Sequence, residues 1–359
     1  MKLVERDIER AVYGGTILGG GGGGRAINGL EMARYAFAAG EINLMPIDSL
    51  NDDDIIVTTT SIGAPSAKEK FVTPEYYLKA VTNLEKYIGV APAGFITGEN
   101  GATETVDAWM QSAVFGKPVI DAPVAGRAVP TAIMGSMGLF KDEGYLSTRS
   151  VLGGNPATGH YLEMVVQGSF GAVASIVRKA SVDAGGTVVV ARDPVKASLV
   201  KERAALGGIT QAIELGEVYL TSKERGAEYC VKSICEKLGG KIIGHGPISD
   251  LAFNMTGGFD VGELSMKDQA GGKDIKAFFW NEYMGIEVDG ERIATFPDLI
   301  MTFNAADGCP VVSADLKKDM DIYLIAVKKE LLNLGYGLTL VEPFKDAEIA
   351  TGRDIIKYL

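Results

Sequence analysis

Six consecutive glycines, at positions 19–24, constrain this chain more than any other feature. Glycine loses more conformational freedom on folding than any other residue, so six in a simple turn would cost much entropy. Such a run belongs where backbone bends sharply or approaches something closely. Apolar residues recur at helical spacing before it (Val4, Ile8, Ala11, Val12) and after it (Ile27, Leu30, Ala33, Ala36, Phe37). The run therefore joins two helices, or a short strand at Thr16-Ile17-Leu18 and a helix. Unencumbered N–H groups at a helix start attract anions or polarised carbonyls, which makes Gly20, Gly21, Gly22 and Gly23 candidate substrate-binding positions. As a dinucleotide fingerprint the run is weak, because any six glycines satisfy G-x-G-x-x-G, although Asp48 lies at about the right distance. Arg25-Ala26, directly after the run, excludes a Walker loop.

Beyond the glycines, strand-like and helical patterns alternate. Positions 44–47, 55–60, 92–97 and 117–121 read as strands; 73–88 and 103–115 read as helices, the first with Pro74 at its start. This alternation predicts an α/β fold: an N-terminal domain over 1–165 with a mostly parallel, Rossmann-like sheet and flanking helices. Ligands of such sheets gather at the carboxyl ends of strands, where Glu99, Asn100 and Asp121 fall. Further on the pattern changes. Asp193-Pro194 opens a helical stretch to about Leu220, bent at Gly207-Gly208, and another helix covers 225–238. From Lys241 short alternating runs dominate, at 241–265, 276–287, 292–303, 321–327 and 337–341. They predict a C-terminal β-rich α+β domain over 166–359, with long helices near its start. A length of 359 residues suits two such domains.

The net charge of −11 argues against nucleic acid and anionic membranes as partners. Three cysteines make no disulfide scaffold. The N-terminus carries no apolar signal core, and no uncharged apolar run reaches the ~18 residues that span a bilayer, so a cytoplasmic location is expected. His160 and His245 are the only histidines, which rules out a histidine-rich metal site. The cofactor stays open: carboxylates can hold a hard divalent metal, but no sequence signature marks one. A homo-oligomer is expected.

Four polar segments are candidates for chemistry. Asp121 closes an apolar strand, and Arg127 follows closely. A poorly solvated aspartate can serve as a general base and arginine can clamp a carboxylate or imide oxygen; alternatively the two form a structural salt bridge. Glu99 and Asn100 lie between Gly98 and Gly101, as ligand contacts or as a solvated turn. Asn281 and Glu282 interrupt a strand-like run, and Asp298 precedes a buried one; composition alone reads these as solvent-facing.

Several segments together resemble one family. They are Leu18 with the glycines, Gly63-Ala64-Pro65 with Glu69-Lys70, the stretch 118–130, Gly257-Gly258-Phe259, Asn281-Glu282, and Pro297-Asp298-Leu299-Ile300. On these residues the chain resembles the S-methyl-thiohydantoin desulfurase-like family, formerly a domain of unknown function and hydantoinase-associated. It departs from the family pattern at Gly20, Arg25, Glu99 and Pro123. The resemblance implies an N-terminal α/β domain and a C-terminal domain rich in β structure. With the residue reading, it gives an expected hydrolase of a hydantoin- or S-methyl-thiohydantoin-type heterocycle. Asp121 or Glu282 activates water, and Arg127 with Asn100 or Asn281 holds ring oxygens. Glu99 and Asp298 add ligand contacts, and the glycine amides stabilise developing charge, where one donor supplies ~3 kcal/mol. Two alternatives accompany it: a non-catalytic accessory or ligand-binding partner of a hydantoinase or oxoprolinase, and a nicotinamide-dependent enzyme using the glycine loop.

Overall fold

The computed structural model describes residues 1–63 and 67–359, so the Ala64 and Pro65 of the family resemblance lie outside the described residues. The N-terminal strands are β1 (Leu44–Met45), β2 (Ile55–Gly63), β3 (Gly94–Thr97), β4 (Val119–Ile120), β5 (Ser147–Gly153), β6 (Leu162–Gly168) and β7 (Thr187–Lys196). They form one sheet in the order β1-β4-β3-β2-β7-β5-β6. The β1-β4-β3-β2 half is parallel, and β7, β5 and β6 extend it antiparallel. Consecutive residues of a strand face opposite sides, so apolar doublets bury both faces. Val57, Phe95 and Val119 pack under helices α1 (Arg6–Gly19), α2 (Ala26–Ala39), α3 (Pro74–Ile88) and α4 (Trp109–Phe115). Their neighbours Ile56, Ile96 and Ile120 pack on the other side, against α5 (Phe170–Asp183) and α6 (Ala197–Arg203).

Two further helices, α7 (Gly208–Ser222) and α8 (Ala227–Leu238), lead into an eight-stranded antiparallel sheet. Its strands are β8 (Lys241–Thr256), β9 (Phe259–Lys267), β10 (Asp274–Trp280), β11 (Glu282–Val288), β12 (Glu291–Thr295), β13 (Leu299–Asn304), β14 (Pro310–Val311) and β15 (Asp321–Val327). The order is β12-β11-β10-β9-β8-β15-β13-β14. The sheet curls until β11 meets β13, where the Tyr283 hydroxyl lies 3.1 Å from Thr302 Oγ1. Alternation along β13 sends Ile300 inside the curl and Leu299, Met301 and Phe303 against α7 and α8. A last helix, α9 (Phe344–Thr351), covers Phe278 and Met284.

Helix α1 belongs to both cores. Ile8, Ala11 and Val12 pack into the N-terminal cluster, and Ile17 and Leu18 into the C-terminal one. Helix α7 does the same with Ile209 and Ile213 on one side and Leu215 and Tyr219 on the other. The two helices cross closer than side chains allow: a Cβ on Gly14 would lie 1.7 Å from the Ala212 carbonyl oxygen.

Both predicted layers are present, an α/β N-terminal part and a β-rich C-terminal part. The expected boundary at 165 falls inside β6, because the first sheet takes strands up to Lys196. The helix expected from Asp193 starts only at Ala197. Residues 188–191 and Val195 alternate into both faces of the sheet, and Pro194 disfavours helical backbone at Asp193, whose φ is 50°. Helix α6 and α7 are then separated by a break that ends at Gly207, φ 75°. The strand expected at 337–341 is a 3₁₀ turn, Tyr336–Thr339. Between Glu104 and Val106 a 3₁₀ turn precedes α4, so the 103–115 helix is shorter than its periodicity predicts. Among the described residues no helix is long and apolar enough to cross a membrane.

Candidate active site at the junction of the two sheets

The carboxyl ends of β2 and β3 meet the β10–β11 turn around a cavity of about 500 Å³. Beyond Thr97, β3 gives way to a loop that Asn100 pins from within. Its amide donates to the carbonyls of Gly126 (3.0 Å) and Gly208 (2.9 Å), and its oxygen accepts from Thr105 Oγ1 (3.1 Å). The adjacent Glu99 lines the cavity, and its Oε2 accepts the Val129 N–H at 3.0 Å. Glu104, also in the wall, accepts from Thr60 Oγ1 (2.8 Å) and the Ser61 N–H (3.3 Å), and its charge acts on the buried Asp107.

The opposite wall comes from the second sheet. Strand β10 passes to β11 through Asn281 alone, whose φ is 58°. A non-glycine residue in that conformation carries strain that the surroundings must hold. Asn281 exchanges two bonds with Asp260: its N–H donates to the Asp260 carbonyl (2.7 Å), and its Oδ1 accepts the Asp260 N–H (2.8 Å). Ser313 Oγ donates to the Asn281 carbonyl at 2.6 Å. The turn so fixed sets Glu282 against the glycine loop and into the cavity wall, 2 % exposed.

The glycines are explained by these neighbours. A Cβ on Gly20 would lie 2.3 Å from Arg127 Nη2, on Gly22 1.8 Å from Glu282 Oε1, and on Gly23 2.5 Å from Gly101 Cα. Gly20 has φ 58°, a conformation that glycine adopts without a steric penalty. The loop is a seam packed from three directions. Helix α1 leads into it rather than a strand, so the dinucleotide fingerprint lacks its required context.

Burial dominates the electrostatics. It pushes Glu282 up to about 8, against the pull of Arg127 and Arg178. It also raises Glu99 well above the carboxylate range, with the nearby charges of Glu104 and Glu282 adding to the rise. Asp107 is raised in the same way, by burial and by Glu104. The guanidinium of Arg127 is fully buried and brought down to about 10 by desolvation. It donates through Nη1 to the carbonyls of Pro297 (3.0 Å) and Asp298 (2.5 Å), while its Nε and Nη2 have no hydrogen-bond partner among the described residues. Arg178, also lowered to about 10 by burial, lines the cavity over the Phe259 ring and donates to the carbonyls of Gly258 and Pro130. Oε2 of Glu282 is buried and has no hydrogen-bond partner among the described residues.

Family models and a solved structure place the chain among known proteins. The S-Me-THD-like N-terminal domain matches residues 6–155, and the S-Me-THD-like C-terminal domain matches residues 170–345. The chain belongs to the S-Me-THD-like family. An X-ray crystal structure of a protein from Chromobacterium violaceum shares the fold at 21 % identity, with a TM-score of 0.70 and 99 % of each chain covered. No curated protein matches. The gap between the two family domains spans the expected boundary at 165, while the first sheet of this S-Me-THD-like protein runs across it.

Of the candidate residues, Gly23, Glu99, Asn281 and Glu282 line the cavity. Gly20, Gly21 and Gly22 pack behind it, against Arg127, Tyr283 and Glu282. Asn100 is spent on the loop, and Arg127 lies behind the glycines. Asp298 accepts from the Lys329 N–H (2.9 Å) and Lys328 Nζ (3.0 Å), outside the cavity lining. Asp121 does not pair with Arg127. Its Oδ1 accepts the N–H groups of Ile209 (2.8 Å) and Thr210 (3.2 Å), so it caps the start of α7, where a negative charge is favourable. Glu104, Arg178 and Arg192 in the lining were not singled out by sequence. Glu104 lies on the predicted helix 103–115, and Arg192 next to the Asp193-Pro194 break; Arg178 sits in a helix with no local signal. Neither histidine lines the cavity, and among the described residues no group of three or more His, Cys, Asp or Glu is arranged to hold a metal ion.

Proposed function

We propose that this protein hydrolyses a small heterocycle of the S-methyl-thiohydantoin type, with Glu282 as the general base. The observation that carries the reading is the Glu282 carboxyl: buried in the cavity wall, with one oxygen that no group among the described residues satisfies. A buried acceptor without a partner is costly, and a small rotation of the side chain toward the cavity would let a bound water or substrate N–H satisfy it. A carboxyl titrating near 8 takes a proton in its ionised form, which grows as pH rises toward and past that value, so the base is expected to work best under mildly alkaline conditions. Family membership supplies the substrate class by analogy.

In the proposed reaction Glu282 takes a proton from water as its oxygen attacks the ring carbon bearing sulfur. The carbon–oxygen bond forms, the carbon–sulfur bond breaks, and methanethiol leaves. The ring keeps a new carbonyl, with one proton gained at the ring nitrogen. Arg178 and Arg192 face the same space as fixed positive charges for the ring oxygens and for developing negative charge. They take the part that sequence reasoning gave to Arg127. Asp121 has no part in it, being held by α7.

The test is a mass-spectrometric screen of the purified protein with hydantoins, thiohydantoins and their S-methyl forms, with trapping of released thiol. Turnover is expected for the S-methyl form, and Glu282→Gln is expected to lower kcat by about 10²–10⁴. No turnover of any of these compounds by the wild type overturns the proposal.

A further inference from the structure

We propose that Glu99 is the proton donor that complements Glu282, so that the cavity works with an acid–base pair drawn one member from each sheet. The inference rests on the hydrolysis reading above and adds a residue and a role to it. Glu99 follows β3 of the first sheet and Glu282 opens β11 of the second, and both line one cavity. Their charges oppose each other: each ionised carboxylate makes the other harder to ionise. Two carboxyls that share a poorly solvated site divide into one acid and one base, and their surroundings decide which is which.

Here the cations decide. Glu282 faces Arg127 and Arg178, both of which favour its ionised form, with Asp260 opposing. Glu99 faces two acids, Glu104 and Glu282, and Arg192 is the weakest of its named influences. Arg127 and Arg178 also feel Glu99, but less strongly than Glu282. The Val129 N–H on Oε2 favours the ionised form of Glu99 but counts for less than burial and the two acids, and it leaves the other oxygen to carry the proton. Glu282 is thus the first of the two to ionise, becoming the carboxylate as pH rises through its value near 8, and Glu99 the one that keeps its proton.

The steps balance. Glu99 gives its proton to the ring nitrogen as Glu282 takes one from the attacking water. The carbon–oxygen bond forms, and the tetrahedral intermediate carries a hydroxyl. That hydroxyl returns its proton to Glu99 as the carbonyl forms and the carbon–sulfur bond breaks. Glu282 then protonates the departing thiolate, and both carboxyls are back in their starting states.

Two measurements test the pair. The first is the pH profile of kcat/KM for thiol release by the wild type, Glu99→Gln and Glu282→Gln. The wild type is expected to give a bell. Glu99→Gln, which keeps an oxygen for the Val129 N–H, should lose the alkaline limb and about 10²-fold in rate at neutral pH. Glu282→Gln should lose the acid limb. A merely structural role for Glu99 would lower the rate and leave the bell intact, and that result overturns the inference. The second measurement needs no turnover: an infrared difference spectrum of wild type against Glu99→Gln at neutral pH. A protonated-carboxyl band lost in the variant is expected, and no such band in the wild type overturns the assignment. Absence of turnover by the wild type sinks the hydrolysis reading, whereas an intact alkaline limb in Glu99→Gln sinks only this one.

Discussion

Gly22→Ala is the sharpest probe of the seam between the glycine loop and Glu282. The φ of Gly22 is not in the left-handed region, so alanine suits its backbone and the effect comes from contact alone. The added Cβ would lie 1.8 Å from Glu282 Oε1, 2.6 Å from Cδ and 3.0 Å from Cγ. Ordinary contact begins at 3.4 Å, so the carboxyl must retreat by roughly 1.5 Å or the loop must yield. The loop has little freedom, since Gly20 and Gly23 are held against Arg127 and Gly101. Overpacking of this kind costs about 1–3 kcal/mol. A reacting group misplaced by about 1 Å costs on the order of 10² in rate. The expected outcome is a folded protein of lower Tm with at least 10²-fold less thiol release. A double-mutant cycle isolates the cause. Glu282→Ala removes the atoms that clash, so Gly22→Ala should cost little in that background, with a coupling of about 1–3 kcal/mol. Wild-type stability and activity in Gly22→Ala would refute the packing argument, and an unchanged cost in the Glu282→Ala background would place the clash elsewhere.

Two further outcomes follow from the geometry. Asp121→Ala removes the cap on α7 and should lower stability by about 1–2 kcal/mol in chemical unfolding while kcat stays within a few-fold; a loss of kcat like that of Glu282→Gln would return Asp121 to the chemistry. The pH dependence of stability should run opposite to that of an ordinary paired carboxylate. Glu282 has a folded value near 8, above its unfolded one, so the native state binds the extra proton between about 4.5 and 8. Glu99 and Asp107 are raised in the same direction. Unfolding free energy should therefore fall as pH rises through this window, and Glu282→Gln should flatten part of the slope; a wild-type stability that rises across the window would contradict it.

Much of the fold was legible because its signals are local. Apolar doublets such as Ile56-Val57 and Val119-Ile120 mark strands buried on both faces, and the 3.6-residue spacing around Leu30 and Ala33 marks α2. The failures were local preferences overridden by long-range pairing. Arg192 and Val195, on either side of Asp193-Pro194, sit in a strand because Thr58 and Ile56 of β2 pair with them, not because the local pattern asks for one. The site was less legible for the same reason. Glu282 reads as a solvent-facing strand residue until the glycine loop, far away in sequence, covers it. Asp121 reads as a general base at a strand end, and only the arrival of α7 gives it a different task. Arg178 gives no signal at all, since its neighbours Phe259 and Pro130 come from other parts of the chain.

The glycines themselves carry the deepest lesson, because the anion cradle they suggest and the seam they form have different causes. A cradle needs small residues so that backbone can reach a ligand. This seam needs them so that protein can reach protein: Arg127, Glu282 and Gly101 each press on a different glycine. Helix α1 enters both cores and must hand the chain to α2 at the point where the two sheets meet. A side chain at Gly20, Gly22 or Gly23 would hold the sheets apart and open the cavity between them. The same closeness desolvates Glu282 and Arg127, and desolvation is the largest influence on both. The glycine run therefore acts on the chemistry at one remove: it sets how tightly the two halves close, and that closeness sets the proton affinity of the carboxyl between them.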